Sequence, residues 1–358
     1  MEGFVYLSRY AGMREDLVQA GGGNSSVKLS SSGMVIKASG FQLADLSGSK
    51  GWCTVNPAGI AKFFSQDNPE ITKDAEKKLL GGCLVTERNN PGEPHPLSVR
   101  PSIEVFLHSV TQKYTLHTHP AVVNILASTD EGWNELKELF PEALFVGYAT
   151  PGIRLAAEYF RAYRSSGRMP DLIFLKNHGL VVSGEKAEFV KERTEKVLGI
   201  IEEKLGLDMA AYHAQTAIHD VTRSIPELKD KIVFLSRHAD VLRGLKAFGP
   251  ALWDWQFCPD CIVYCGKKPL VLGDSFGEAD FGSYAGSYGP PSIISHKGNA
   301  YILSDSVRKA KDTESVLAFS ARVALANKAR GLRMSLLPDA EQDFLLDWDA
   351  EKYRRNRK

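Results

Sequence analysis

Four side chains in this sequence have the types and spacing of a catalytic metal centre. His117 and His119 lie in Tyr114-Thr-Leu-His-Thr-His-Pro120, and His178 in Phe174-Leu-Lys-Asn-His-Gly-Leu-Val-Val182. Both runs are rich in β-branched and apolar residues and read as strands. Residues i and i+2 of a strand share a face, so His117 and His119 can point at one ion. His178 completes three nitrogen ligands with an open position, the geometry of a catalytic rather than a structural site. Upstream, Arg100-Pro-Ser-Ile-Glu104 supplies a carboxylate close enough in sequence to fold beside the ion as a general base. A lone Glu opening a helix ordinarily just complements the helix dipole; the neighbouring histidines favour the catalytic role here. Neutral imidazoles leave an ion its full charge as a Lewis acid. Three nitrogens favour Zn2+, with Mn2+, Co2+ and Fe2+ as alternatives. His108, one turn after Glu104, is expected to pack behind the site or support it.

These residues need a scaffold that brings distant segments together. Residues 4–20 have helical spacing of apolar residues and end at three glycines. Residues 27–38 alternate as a β-hairpin with its turn at 30–33. Short helices are expected at 60–64 and 73–80, a Pro/Gly-rich loop at 89–96, and helices at 102–110 and 121–127. The strand of His178 precedes a long helix from 185 to about 205, with Phe189, Val190, Val197 and Ile201 on one face. Strands alternating with helices indicate an α/β domain on a central sheet. Strand direction stays open at this level.

Five motifs occur in order: Gly21-Gly-Gly-Asn-Ser-Ser26, Lys37-Ala-Ser-Gly40, Pro101-Ser-Ile-Glu104, His117-Thr-His119 and Asn177-His-Gly179. Together they resemble the class II (metal-dependent) aldolases of the adducin superfamily over roughly residues 1–215. The first and third are most similar in wording to the aldolase half of bacterial rhamnulose-1-phosphate aldolase/dehydrogenase fusion proteins. The resemblance implies a mainly antiparallel sheet flanked by helices, a homo-oligomer (a tetramer above all), and an active site near a subunit boundary. It also implies reversible cleavage of a ketose phosphate to dihydroxyacetone phosphate and an aldehyde through a metal-stabilised enediolate. Glu104 would move the proton on the enediolate carbon. Glycine-rich turns supply converging N–H groups for an anion, and Gly22, Gly23, Asn24, Ser26, Ser39 and Gly40 match the family's phosphate-binding positions, with Ser102 beside them. One departure concerns the tyrosine general acid that some relatives carry after the second metal histidine. Residues 124–140 contain no tyrosine, and Tyr148 is a substitute candidate.

Similar enzymes include pentulose-phosphate 4-epimerases, which carry Pro-Ser-x-Asp where this chain has Glu104, as well as dehydratases and decarboxylases. Adducin heads are binding proteins that lack the metal ligands. Retention of three histidines and Glu104 favours an enzyme, and Glu104 favours a lyase.

Bulk composition narrows the partners. The 358 residues carry 44 Lys+Arg against 43 Asp+Glu, so no polyanion-binding footprint points to nucleic acid. No run approaches the ~20 apolar residues of a membrane span, and the N-terminus lacks a signal-peptide pattern. Five cysteines, an odd number, fit a reducing, cytoplasmic compartment rather than a disulfide framework. Cys258, Cys261 and Cys265 lack a fourth metal ligand, and residues 261–265 read as a strand with cysteine as a small buried hydrophobe.

A catalytic domain at 1–225 and an α/β extension at 226–358 without its own metal site are expected. Residues 293–303 and the helical 312–317 echo 174–198 without a gap. Gly298 falls at Gly179, and Lys297, which cannot ligate a metal, falls at His178. The extension is either a degenerate repeat or an unrelated hairpin-helix unit. Gly273-Asp-Ser-Phe-Gly277 reads as a loop with no helix pattern after it rather than a dinucleotide turn. The basic run Lys352-Tyr-Arg-Arg-Asn-Arg-Lys358 reads as a solvated tail.

Overall fold

The computed structural model describes residues 1–85 and 100–347; the expected 89–96 loop and 352–358 tail lie outside them. Two compact units divide the chain, Met1–Asp208 and Met209–Lys358. The expected change of pattern near 225 comes earlier because the helix Ala210–Ser224 packs on the first strand of the second unit. There Gln215 Nε2 donates to the Val233 carbonyl at 2.7 Å. No described helix is long and apolar enough to cross a membrane.

The first unit holds β1 (Asn24–Lys28), β2 (Met34–Lys37), β3 (Trp52–Val55), β4 (Tyr114–Thr118), β5 (Leu144–Val146), β6 (Leu172–Leu175) and β7 (Gly179–Gly184). They form one sheet in the order β3-β2-β1-β4-β7-β6-β5. Every pair is antiparallel except β5 with β6. The β1–β2 hairpin closes at Gly33, whose carbonyl accepts from the Leu29 N–H at 2.8 Å. Strand alternation sorts the core: Val27 and Val35 pack with Phe4 and Leu46, while Met34 and Ile36 join Phe64, Phe106, Tyr159 and Phe160. Burying such side chains contributes roughly 1.5–3 kcal/mol each, which is what holds the site's elements in place.

The helices expected at 60–64, 73–80 and 121–127 are Ala58–Phe64, Lys73–Cys83 and Ala121–Ala127. Three others differ from expectation. The first helix, Glu2–Gly12, stops well short of residue 20. Gly12 lies against Ala44, where a Cβ would come within 2.0 Å of the Ala44 nitrogen. Beyond it the chain turns to bury Arg14, whose Nε donates to Asp16 at 2.9 Å and whose Nη1 donates to Glu195 at 2.7 Å. The helix expected at 102–110 is a single turn, Val105–His108. In Ala187–Leu205, Val190, Val197 and Ile201 are buried, but Phe189 is 43% exposed and lies over Gly184.

The second unit holds β8 (Ile232–Leu235), β9 (Leu270–Val271), β10 (Ile293–His296) and β11 (Asn299–Ser304), ordered β8-β11-β10-β9. Only β9 and β10 are parallel. Chain order, spatial order and strand directions repeat those of β4-β7-β6-β5. The helices fall in the same slots: two between the first strand pair, one before the hairpin and one long helix, Val307–Ala329, after it. The hairpins differ by one residue. Three residues separate the paired Leu175 and Gly179, whereas only Lys297 and Gly298 separate His296 from Asn299. Both of the latter have positive φ, 46° and 73°, as a tight two-residue turn requires. The ungapped echo therefore slips by one: Gly298, not Lys297, directly precedes its strand as His178 does. Residues 259–265 are a helix, Pro259–Cys265, not a strand. A helix, Glu278–Tyr288, does follow the 273–277 loop; Phe281 is its only buried residue, so it carried no apolar period.

Candidate metal centre

The sheet places the first imidazole. Asn24 on β1 pairs with His117 on β4, and His117 pairs with Val181 on β7. His117 is fully buried, and its Nδ1–H donates to the Leu180 carbonyl at 3.0 Å. Its Nε2 is thereby turned to the site, the arrangement typical of a metal-ligating histidine.

His119 arrives differently from the expected strand alternation, because β4 ends at Thr118. Its backbone N–H donates to the Leu17 carbonyl at 2.8 Å, and the Ala121 N–H to the Asp16 carbonyl at 2.9 Å. The buried Arg14–Asp16 pair steadies that support. His119 Nε2 lies 3.1 Å from His117 Nε2.

His178 sits in the β6–β7 turn rather than inside a strand. Asn177 adopts φ 54° and donates its N–H to the Ala127 carbonyl at 3.1 Å. Asn124 Nδ2 donates to the His178 carbonyl at 3.2 Å. The helix Ala121–Ala127 thus ties the His119 segment to the His178 turn. Gly179 permits the approach: a Cβ there would be 2.2 Å from the Thr118 oxygen.

Glu104 caps the helix Val105–His108 and faces the histidines, with Oε1 3.2 Å from Nε2 of both His117 and His178. One ligand atom from each of Glu104, His117, His119 and His178 lies within 4.8 Å of all the others, the group of this kind found among the described residues. Inward-facing Nε2 atoms and a buried carboxylate suit zinc or a similar divalent ion.

Burial alone would raise the Glu104 pKa, but His117 and His178 outweigh it and hold the carboxyl well below its usual range. Burial depresses His117, yet the Glu104 charge and hydrogen bond bring it above the ordinary value. Burial and the two neighbouring imidazoles push His119 down to about 3. These shifts favour the ionised form of Glu104 and the neutral form of His119.

The phosphate candidates divide. Asn24 Nδ2 donates to Glu104 Oε2, and Asn24 Oδ1 is buried without a partner. Ser102 Oγ accepts from the Glu104 N–H at 3.3 Å. Gly22 packs against the His119 ring, and Gly23 has φ 71°. Ser26 Oγ is turned to His108 Nδ1 at 2.8 Å, both buried. Ser39 and Gly40 are exposed, with the Ser39 N–H donating to the Arg100 carbonyl at 2.7 Å. His108 packs behind Glu104 and is driven to about 3 by burial and His117. Tyr148 is 63% exposed.

Lys37 opens the Lys37-Ala-Ser-Gly40 motif, in which the sequence alone gives a role only to Ser39 and Gly40. It is 3% exposed, and its Nζ donates to the Gly21 carbonyl at 3.2 Å. Burial lowers its pKa while Glu104 opposes the shift. A lysine closing the apolar run Met34-Val-Ile-Lys37 was the available signal.

Residues 2–202 match the family model described as Class II Aldolase and Adducin N-terminal domain. A curated relative, the Uncharacterized oxidoreductase YuxG of Bacillus subtilis (strain 168), is 24% identical over 303 residues, 76% of this chain and 42% of that protein. The chain thus spans less than half the length of this relative. The N-terminal class II aldolase domain of a conserved protein from Thermoplasma acidophilum is 26% identical, covering 57% of this chain and 92% of that one at a TM-score of 0.47. L-fuculose-1-phosphate aldolase from Thermus thermophilus is 18% identical, covering 57% and 92%, at a TM-score of 0.37.

Proposed function

The chain belongs to the class II aldolase and adducin N-terminal domain family, and from that premise we propose that it is a metal-dependent lyase. Its reaction is reversible aldol cleavage of a ketose phosphate to dihydroxyacetone phosphate and an aldehyde. The convergence of Glu104, His117, His119 and His178 carries this reading. A divalent ion, zinc foremost, would be held by the three imidazoles and would supply a Lewis acid for the ketone and neighbouring hydroxyl oxygens.

The protein's own groups do the rest. Glu104 takes or returns the proton on the carbon next to the ketone, and Asn24 fixes the carboxylate from its far oxygen. Leu180 and the helix Ala121–Ala127 hold His117 and the His178 turn. The Gly22–Gly23–Asn24 turn, with Ser39, Gly40 and Ser102, offers N–H and hydroxyl groups to the phosphate. Lys37 adds positive charge beside that turn. Ser26 acts through His108 rather than on the phosphate directly.

Within the family, the wording of Gly21-Gly-Gly-Asn-Ser-Ser26 and Pro101-Ser-Ile-Glu104 favours kinship with the aldolase half of rhamnulose-1-phosphate aldolase/dehydrogenase fusions. The length and name of the Bacillus subtilis relative accord with that. Five free cysteines suit a cytoplasmic setting. Incubating the metal-loaded protein with a panel of ketose phosphates, while following dihydroxyacetone phosphate, tests the activity. Release from one of them is expected. Inversion of a carbon centre without release would make the protein an epimerase, and no turnover of any member would remove the lyase reading.

A further inference from the structure

In the second unit, Phe257-Cys-Pro-Asp-Cys261 leads into the helix Pro259–Cys265. Cys258 and Cys261 place their sulfurs 3.2 Å apart, each the other's hydrogen-bond partner. All five cysteines are free thiols. We propose that Cys258 and Cys261 form a thiol–disulfide exchange site whose oxidising substrate is a low-molecular-weight disulfide.

The two thiols are unequal in the way stepwise exchange requires. Cys258 is half-buried and open to an incoming disulfide, whereas Cys261 is 2% exposed. An internal resolving thiol needs no access, because its target is the neighbouring sulfur. Access makes Cys258 the entering nucleophile, and burial pushes the Cys261 thiol up to about 12. A hydrogen bond from Ser320, on the helix Val307–Ala329, favours the Cys261 thiolate when its turn comes.

Two other uses fit less well. A metal would need more ligands, and Cys265 does not bring its sulfur into a ligand group with the pair: the ligand group found among the described residues is the one around Glu104. Inert packing is the state of Cys83, whose thiol donates to the Leu80 carbonyl of its own helix at 3.3 Å. In Cys258 and Cys261 the sulfurs face each other instead.

In the exchange, the Cys258 thiolate attacks one sulfur of the small disulfide. That S–S bond breaks, a mixed disulfide forms on Cys258, and the first small thiolate leaves and takes up the proton Cys258 gave. The Cys261 thiolate then attacks Cys258 Sγ, closing the protein disulfide and releasing the second small thiol with the proton from Cys261. Two protein thiols are oxidised and one small disulfide is reduced to two thiols.

The test equilibrates the full chain with oxidised and reduced glutathione, quenches with acid, alkylates, and maps peptides by mass spectrometry. The expected result is that two of the five thiols become protected, both on the peptide holding Cys258 and Cys261, and that excess dithiol reverses this. Cys261→Ser should accumulate a stable mixed disulfide on Cys258, and Cys258→Ser should leave Cys261 fully alkylated. Should either variant fail to fold, peptide mapping of the unaltered chain still decides. Five alkylated thiols at every glutathione ratio, protection at Cys53 and Cys83 instead, or protection abolished by a chelator would overturn the proposal.

Discussion

Asn24 donates its side-chain amide to Glu104 Oε2, a residue 80 positions further along the chain, while Glu104 Oε1 faces His117 and His178. One oxygen is held and the other presented, which is how a carboxylate is kept in line with a substrate proton. Asn24→Ala should lower kcat by about 10-fold, the worth of one hydrogen bond to a charged group. Metal content should not change, since Asn24 is not among the ligands. Steady-state kinetics with elemental analysis of the same preparation checks this, and an unaltered kcat would remove the orienting role.

His119, a proposed ligand, lies just past β4, where its backbone is held by Leu17 and that of Ala121 by Asp16. His119→Ala should lose stoichiometric metal, because water replaces an imidazole ligand poorly. The fold should persist, since the imidazole is only partly buried and lies just past the end of β4. Equal metal in both proteins, by elemental analysis, would contradict the assignment.

A buried neutral imidazole leaves a signature in stability against pH. The folded pKa of His108 is about 3, against about 6.5 for an unperturbed histidine. Between those values the unfolded chain binds the extra proton, so stability falls as pH falls through this window. His108 alone contributes a slope of at most about 1.4 kcal/mol per pH unit. His108→Asn, which can still meet Ser26, should flatten the pH dependence of the urea midpoint between pH 4 and 7, read with chelator present to remove metal linkage. Parallel curves for the two proteins would show that His108 is not the buried neutral group inferred.

How much of this was legible beforehand depends on which interactions are local. Glu104, His117, His119 and His178 were readable because ligand chemistry restricts residue type, and the structure does assemble them. The reason given for His119 was only half right, since β4 stops at Thr118 and a loop completes the placement. Where a contact far in sequence ends an element, no local pattern records it: Gly12 stops its helix against Ala44. Five residues from Cys261 to Cys265, nearly all apolar, fit either period and turned out helical. Glu278–Tyr288 buries one side chain and so had no stripe to read. The echo between residues 174–198 and 293–317 was visible in its strand and glycine pattern, for a repeat and an unrelated hairpin-helix unit alike, but the difference of one turn residue shows only in strand register.

A closed homo-oligomer, a tetramer by resemblance to the family, is the expected assembly, since symmetric closed assemblies dominate among soluble enzymes. Light scattering on the intact chain reads it directly. A monomer with full activity would place every catalytic group within one chain.

Glu104 tests the chemistry most sharply, because the same carboxylate could serve merely as a helix-capping charge. Glu104→Gln keeps the shape and one oxygen but puts an amide NH2 in place of the other, so it cannot take a proton. The three imidazoles keep their own supports at Leu180, Leu17 and Asn124, so metal content and fold should survive. Turnover should fall by about 10²-fold or more, the usual worth of a positioned acid or base. KM should change little, since the lost interaction belongs to proton transfer and not to phosphate binding. A variant with metal intact and turnover unchanged would reduce Glu104 to a structural charge and leave the proton transfer to another group.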